Sequence, residues 1–279
     1  MFIKKNLFAL FSSFIKSEAY SYRHLKNNLT KVDHKIILVC IVTMLVLTCT
    51  YYFGDVRFLI SLLEDLGFAD LSQQLREIMT IHPDAALYRP LYWASVLIFF
   101  YCVLPAICIK FFFKQRFSDY GLGFKGAFKY YRLYIGMLIV MVPLVIYFSA
   151  SESFLKTYPF YKVAPGDNLF PNFFIWEIFY FLQFVALEFF FRGFILHGTK
   201  HRFGFYAIFF MTVPYCMIHF GKPMAETIAA IIAGVILGYM SLKSRNIWMG
   251  VFVHCSVAFM MDISALMRRG VFSSEVETL

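Results

Sequence analysis

The stretch ALEFFFRGFILHG, residues 186–198, places an acid and a base inside an almost uniformly apolar run. Glu188 and Arg192 are four residues apart, so they lie on one face of a helix. An ionisable side chain in the middle of a membrane costs roughly 3 kcal/mol, and one that is kept there marks a functional site by default. A simple ion pair within one helix is the structural alternative, and the stretch alone leaves both readings open.

The composition of the whole chain indicates a membrane protein. Of its 279 residues, 60% are hydrophobic and 15% are charged, whereas about 25% are charged in a soluble domain. Apolar stretches of about 20 residues, each long enough to cross a bilayer, follow one another with short gaps. We therefore predict an all-α fold, a polytopic transmembrane helix bundle of about seven or eight spans. The seven candidates are 36–53, 91–113, 133–150, 172–197, 203–220, 223–242 and 246–266.

The N-terminal segment predicts a helix that lies on the membrane. Residues 1–17 have a basic start, and one side of a helix there would be lined by Phe2, Leu7, Leu10, Phe11 and Phe14. Such a pattern is typical of an amphipathic interfacial helix. The chain then divides into a basic interfacial segment, peripheral membrane helices and loops, a core that carries the motifs, and a tail. Their bounds are 1–35, 36–171, 172–266 and 267–279.

The net charge of +9 indicates contact with lipid rather than with nucleic acid, because the basic residues flank the apolar spans. Basic segments at 1–35 and 110–132 alternate with an acidic one at 54–90. The positive-inside rule then predicts a cytoplasmic N-terminus for an integral membrane protein. The six Cys all fall in apolar segments without metal-ligand spacing, which favours packing over disulfides or metal binding.

Two histidines lie deep in later spans. At about 1.5 Å per residue, Glu188 lies roughly 14 Å, and His254 roughly 12 Å, from the predicted cytoplasmic side. His219 comes out higher, at roughly 24 Å, and a tilt of its helix would lower it. A carboxylate and two imidazoles in one dry layer could activate a water and bind an oxyanion. Each histidine taken singly is more often a hydrogen-bonded core residue, so the conjunction carries the functional reading.

In order and spacing these residues resemble the CAAX prenyl protease type 2 and bacteriocin-processing (CPBP, or Abi) family of intramembrane proteases. That family carries the motifs EExxxR, FxxxH and HxxxN or HxxxD on separate membrane helices. The resemblance covers about residues 172–266, and the stretch FSDYGLG at 117–123 is similar to the segment that precedes the family's core. The three motifs read here as Leu187-Glu188-Phe-Phe-Phe-Arg192, Tyr215-Cys-Met-Ile-His219 and His254-Cys-Ser-Val-Ala258.

Three positions depart from the family's pattern, and the mildest departure is Tyr215 in place of Phe. Leu187 stands where the family has its first Glu, and Ala258 stands where it has Asn or Asp. The pattern resembles a divergent bacterial branch in which the second Glu persists alone. There, the polar groups missing from the motifs could come from Lys222, Glu226 and Asp262.

The resemblance implies a hydrolase that cleaves a peptide bond of a membrane-associated protein or peptide. Glu188 would be the base that activates water, His219 would orient the water, and His254 would donate to the oxyanion. Arg192 and Tyr215 would support them. The family's mechanism implies no cofactor, and the alternative is a zinc ion held by Glu188, His219 and His254.

Two further readings compete with the protease. Leu187 and Ala258 favour a catalytically silent CPBP-fold membrane protein, which would act as a partner or regulator. A transporter with a Glu/His proton relay is the third reading, but it predicts an internal repeat that the sequence lacks. In the first reading the partners are membrane lipids and a membrane-anchored substrate in a bacterial cytoplasmic membrane. The sequence leaves the substrate and the oligomeric state open.

Overall fold

The computed structural model describes residues 32–164 and 167–272. Within these ranges the chain forms helices and no strand, which confirms the all-α prediction. The predicted interfacial helix at 1–17 lies outside the described residues, as do most of the 1–35 segment and the end of the 267–279 tail.

The described helices follow one another in the order that the hydropathy pattern predicts. They are α1 (His34–Phe53), α2 (Val56–Asp65), α3 (Ala69–Thr80), α4 (Ala85–Ile107), α5 (Tyr131–Phe148), α6 (Glu152–Thr157), α7 (Asn172–Glu188), α8 (Gly198–Phe203), α9 (Ala207–Met217), α10 (Met224–Ser244) and α11 (Trp248–Arg268). A π-helical turn, Cys108–Phe112, extends α4, and a longer π-helical segment, Phe189–His197, joins α7 to α8. Short 3₁₀ turns form at Phe117–Tyr120 and Gly204–Tyr206.

Six helical stretches in the described residues are long and apolar enough to cross a membrane. The fourth, Asn172–Met217, is 46 residues long and covers the predicted span 172–197 and most of the one predicted at 203–220. The prediction of a separate span at 203–220 was wrong in its extent, because α9 covers only Ala207–Met217 after a break at Gly204. Its 11 residues rise about 16 Å, which is short of the roughly 30 Å hydrocarbon core.

The apolar surface of these stretches fits a lipid environment. On α5, for example, Ile139 is 67% exposed and Val140 60%. A soluble protein rarely exposes large contiguous apolar patches. The chain is an integral membrane protein.

The contacts divide the chain into two compact units. The first consists of residues up to Met44, Pro105–Lys129 and Phe189–Ile247. All nine residues of its π-helical segment are buried, and Phe194 stacks on Phe113 with ring centroids 6.4 Å apart. A Cβ on Gly193 would lie 2.9 Å from the carbonyl oxygen of Tyr120, so only a glycine lets the 117–123 turn pack this closely.

Two glycines bring α9 and α10 together in the same unit. A Cβ on Gly234 would lie 2.8 Å from the side chain of Thr212, and one on Gly238 would lie 3.0 Å from that of Met211. Small residues one turn apart are a common means of close helix packing in membranes. This contact fixes the helix that carries Tyr215.

The second unit consists of Leu45–Leu104, Tyr130–Glu188 and the chain from Trp248 onward. Here α11 packs on α5 and α7. Its buried core includes Trp176, Tyr180, Ala258 and Leu266. The first and third sequence motifs therefore meet on one pair of helices, α7 and α11.

Candidate active site

Glu188 and His254 form a close polar pair in the second unit. Oε1 of Glu188, the last residue of α7, lies 2.7 Å from Nδ1 of His254 on α11. The carboxylate side chain is 1% exposed and the imidazole 15%. At this distance the carboxylate and the imidazole are within hydrogen-bonding reach of each other, so both groups can act on one substrate atom or water.

Two residues that the sequence reasoning missed surround this pair. Phe184, one helical turn before Glu188, stacks on the His254 ring with an interplanar angle of 3° and centroids 5.4 Å apart. Gly250, one turn before His254, leaves room for the carboxylate, because a Cβ there would lie 2.6 Å from Oε2 of Glu188. Each of these residues lies four positions before a motif residue in the sequence, but only the structure shows that they contact the Glu188–His254 pair.

Asp262 lies two turns beyond His254 on α11 and belongs to a second polar cluster. The indole N–H of Trp176 donates to its Oδ2 at 3.0 Å, and the carboxyl group of Glu177 lies nearby. The charge of Asp262 also reaches the loop before α7. Burial and then Arg269 lower the pKa of Lys162, while Asp262 opposes this shift.

Ala258 lies in an apolar environment. It is 3% exposed within the cluster that contains Trp176 and Tyr180. Leu187 is likewise buried, at 5%. The third motif ends at Ala258, where the family has a polar residue. The carboxylate on this helix, that of Asp262, lies one turn further along α11.

Arg192, Tyr215 and His219 lie together in the first unit. The guanidinium carbon of Arg192 lies 3.9 Å from the centroid of the Tyr215 ring, a cation–π contact in which the arginine is fully buried. Nδ1 of His219 lies 2.8 Å from the carbonyl oxygen of Tyr215, which requires the proton on Nδ1. The two rings meet edge to face, with centroids 4.9 Å apart. Tyr215 therefore lies between Arg192 of the π-helical segment and His219, which follows the end of α9, and contacts both.

The remaining predicted polar residues in this unit are Lys222, in the turn after α9, and Glu226, in the first turn of α10. Nζ of Lys222 lies 2.8 Å from Oε1 of Glu226, and both side chains are half-buried. The hydroxyl of Thr227, which the sequence reasoning did not single out, donates to the carbonyl oxygen of His219 at 2.9 Å. These bonds fix the backbone at His219.

The structure therefore distributes the predicted residues over its two units. Glu188, His254 and Asp262 belong to the second, and the other five belong to the first: Arg192, Tyr215, His219, Lys222 and Glu226. Across the described ranges no group of three or more His, Cys, Asp or Glu side chains is placed to hold a metal ion.

Comparison with known proteins agrees with the motifs. Residues 169–260 match a family model described as Type II CAAX prenyl endopeptidase Rce1-like. No curated protein and no solved structure matches the chain. The matched segment contains the three motifs and confirms the resemblance found in the sequence. Over residues 169–260, about a third of its length, the chain is similar to the Rce1-like type II CAAX prenyl endopeptidases.

Proposed function

We propose that the protein is an intramembrane endopeptidase that hydrolyses a peptide bond of a membrane-associated protein or peptide. The observation that carries this proposal is the 2.7 Å contact between Glu188 and His254. It joins the first and third motifs of a protease family inside apolar helices. A buried carboxylate and imidazole are costly to keep in a membrane unless they serve a function.

The reaction needs a base for water and a donor for the oxyanion. Glu188 takes a proton from water as the water oxygen adds to the substrate's carbonyl carbon. His254 donates to the oxygen that becomes negative, and His219 orients the water. The C–N bond then breaks, and the proton passes to the leaving amine. Arg192 and Tyr215 support His219, and no cofactor takes part.

The proposed substrate class rests on the family's name, and the proposed orientation rests on the charge pattern. The family's name points to a prenylated C-terminal CAAX peptide, which is the first probe to use. The basic segments favour an N-terminus in the cytoplasm, and a bacterial cytoplasmic membrane is the proposed location. The partners are lipids and the anchored substrate.

The experiment measures how fast the purified wild type and its variants, each in lipid vesicles, cleave a farnesylated CAAX peptide. We expect cleavage by the wild type, and loss of cleavage in Glu188→Gln and His254→Gln, because each variant removes one half of the pair. Glu77→Gln is the matched control, since Glu77 is exposed on α3 and lies outside the motifs. Full turnover by Glu188→Gln would exclude Glu188 as the base. A zinc chelator should leave the rate unchanged.

The alternative is a catalytically silent membrane partner with the same fold. Burial of Ala258 and Leu187 among apolar neighbours favours this alternative, because neither position offers a polar group to a reaction. The two readings differ in cells. A protease loses its cellular effect in Glu188→Ala at normal protein level, whereas a silent partner keeps it.

A further inference from the structure

The carboxylate of Glu188 lies against the backbone of α11 at Gly250. A Cβ built on Gly250 would lie 2.6 Å from Oε2, 3.1 Å from Cδ and 3.6 Å from Oε1 of Glu188. These are its three nearest atoms outside its own helix backbone and chain neighbours. Real Cβ atoms essentially never approach another heavy atom within 3.0 Å. A side chain at position 250 therefore displaces this carboxylate before anything else.

Gly250 is not explained by backbone conformation. Its φ lies outside the left-handed region that favours glycine, and it lies near the start of a regular α-helix. Glycine in a helix is destabilising relative to alanine. The absence of a side chain at position 250 instead leaves space for the carboxylate of Glu188.

Glu188 and the residues on either side of it are buried, so a carboxylate pushed away from Gly250 stays in the protein interior but leaves its place beside His254. Its neighbours Leu187 and Phe189 are buried at 5% and 4%, and the π-helical segment that follows is buried throughout. The His254 ring is stacked against Phe184. Phe184 thus sets the plane of the imidazole, and Gly250 sets how closely the carboxylate approaches it.

We propose that Gly250 is a positioning residue, which lacks a Cβ so that the Glu188 carboxylate can lodge against α11 and meet Nδ1 of His254. The inference rests on the proposed protease function for its effect on catalysis. Gly250 does not itself touch the reacting atoms. It acts through Glu188, and a displacement of about 1 Å in a catalytic group can reduce a rate by about 100-fold.

The first test is Gly250→Ala, with Gly136→Ala as the matched control. Gly136 lies within α5, and a Cβ there would meet nothing within 4 Å. With the farnesylated CAAX peptide, we expect Gly250→Ala to lower kcat by about 100-fold. The KM and the thermal midpoint should stay close to those of the wild type, because the displaced group is the end of one flexible side chain. Gly136→Ala should match the wild type in all three quantities.

A double variant tests whether Gly250 acts through Glu188. Glu188→Asp shortens the acid by one methylene group and withdraws it from the added methyl. We expect Gly250→Ala combined with Glu188→Asp to be no slower than the slower single variant. Independent roles would instead multiply the two losses. Multiplied losses, or failure of both Gly250→Ala and the double variant to fold, would overturn the proposal.

A readout without activity separates this inference from the proposed function. The ¹⁵N resonances of His254, assigned with His254→Gln, should change in Glu188→Gln and in Gly250→Ala but not in Gly136→Ala. If this pattern appears and the wild type cleaves no peptide, the positioning stands and the proposed function fails. If the wild type cleaves the peptide and Gly250→Ala alters neither kcat nor the His254 resonances, the positioning role is excluded.

Discussion

Asp262 shows how a carboxylate is accommodated in an apolar helix. Its side chain is fully buried, and the indole N–H of Trp176 donates to it at 3.0 Å. A hydrogen bond to a charged group contributes more than one between neutral groups, and a buried acceptor that loses its donor bears the desolvation cost. Trp176 is thus an anchor between α7 and α11 as well as a core residue.

Replacing Trp176 by Phe tests this anchor. We expect Trp176→Phe to lower the free energy of unfolding by about 1.5–3 kcal/mol more than the loss of ring volume alone, because the bond to Asp262 disappears. Trp93→Phe is the control for ring volume, since Trp93 stacks on Phe160. Denaturation of both variants in the same detergent gives the difference. Equal losses would mean that the hydrogen bond contributes nothing.

At the scale of the elements, the start of α1 is fixed by side-chain contacts that a hydropathy pattern does not reveal. Asp33 caps α1, since its Oδ1 accepts from the backbone N–H groups of Lys35 and Ile36 at 3.0 and 3.2 Å. Its Oδ2 lies 2.7 Å from Nε2 of His201. Burial disfavours the charged form, but the hydrogen bonds from His201 and these N–H groups outweigh it and hold the pKa of Asp33 below its ordinary value.

The cap gives a prediction with a pH signature. Asp33→Ala should lower stability by about 1 kcal/mol, the usual value of an N-cap. Asp33→Asn keeps an acceptor for the cap but cannot ionise. Because the folded pKa is lowered, the ionic contribution is fully present above the unfolded pKa of about 3.9 and is lost as pH falls through the folded pKa. Thermal midpoints between pH 7 and about pH 3 should therefore fall less steeply in Asp33→Asn than in the wild type. Parallel curves would contradict this.

Sequence patterns predicted most elements but not their local form. The predicted spans at 223–242 and 246–266 agree closely with α10 and α11, because long apolar runs have few alternatives in a membrane. The π-helical widening at Phe189–His197 could not be predicted, since the same run of apolar residues is compatible with an α-helix and with a π-helix. The break before α9 occurs at Gly204, whose φ is 54°, and a hydropathy pattern carries no information on the φ of one glycine.

For the whole molecule, the motifs predicted which side chains matter but not how they are grouped. The contact of Glu188 with His254 joins residues on two helices far apart in sequence, and only depth along each helix and the motif resemblance pointed to it. Phe184 and Gly250 were beyond reach because an apolar ring and a glycine are unremarkable in a membrane helix. The polar residues were found because their presence in a span is costly.

The orientation of the whole chain is a prediction of the charge pattern. Residues 54–90 are acidic and 110–132 are basic, so they should lie on opposite sides of the membrane, with 110–132 in the cytoplasm. Gln73→Cys and Lys125→Cys place a thiol at an exposed position in each segment. A membrane-impermeant maleimide should label Gln73→Cys in intact cells and Lys125→Cys only after permeabilisation. The parent chain, with its own six Cys, is the control, and the reverse pattern would invert the proposed topology.

The close approach of Gly250 to Glu188 also constrains how this sequence can evolve. Every amino-acid replacement that one nucleotide change can make in a glycine codon adds a Cβ. While position 188 is a glutamate, no single-nucleotide replacement of Gly250 therefore leaves the position of its carboxylate unchanged. Related sequences that carry a larger residue at 250 should also carry a shorter acid, or none, at 188. The two positions should change together or not at all.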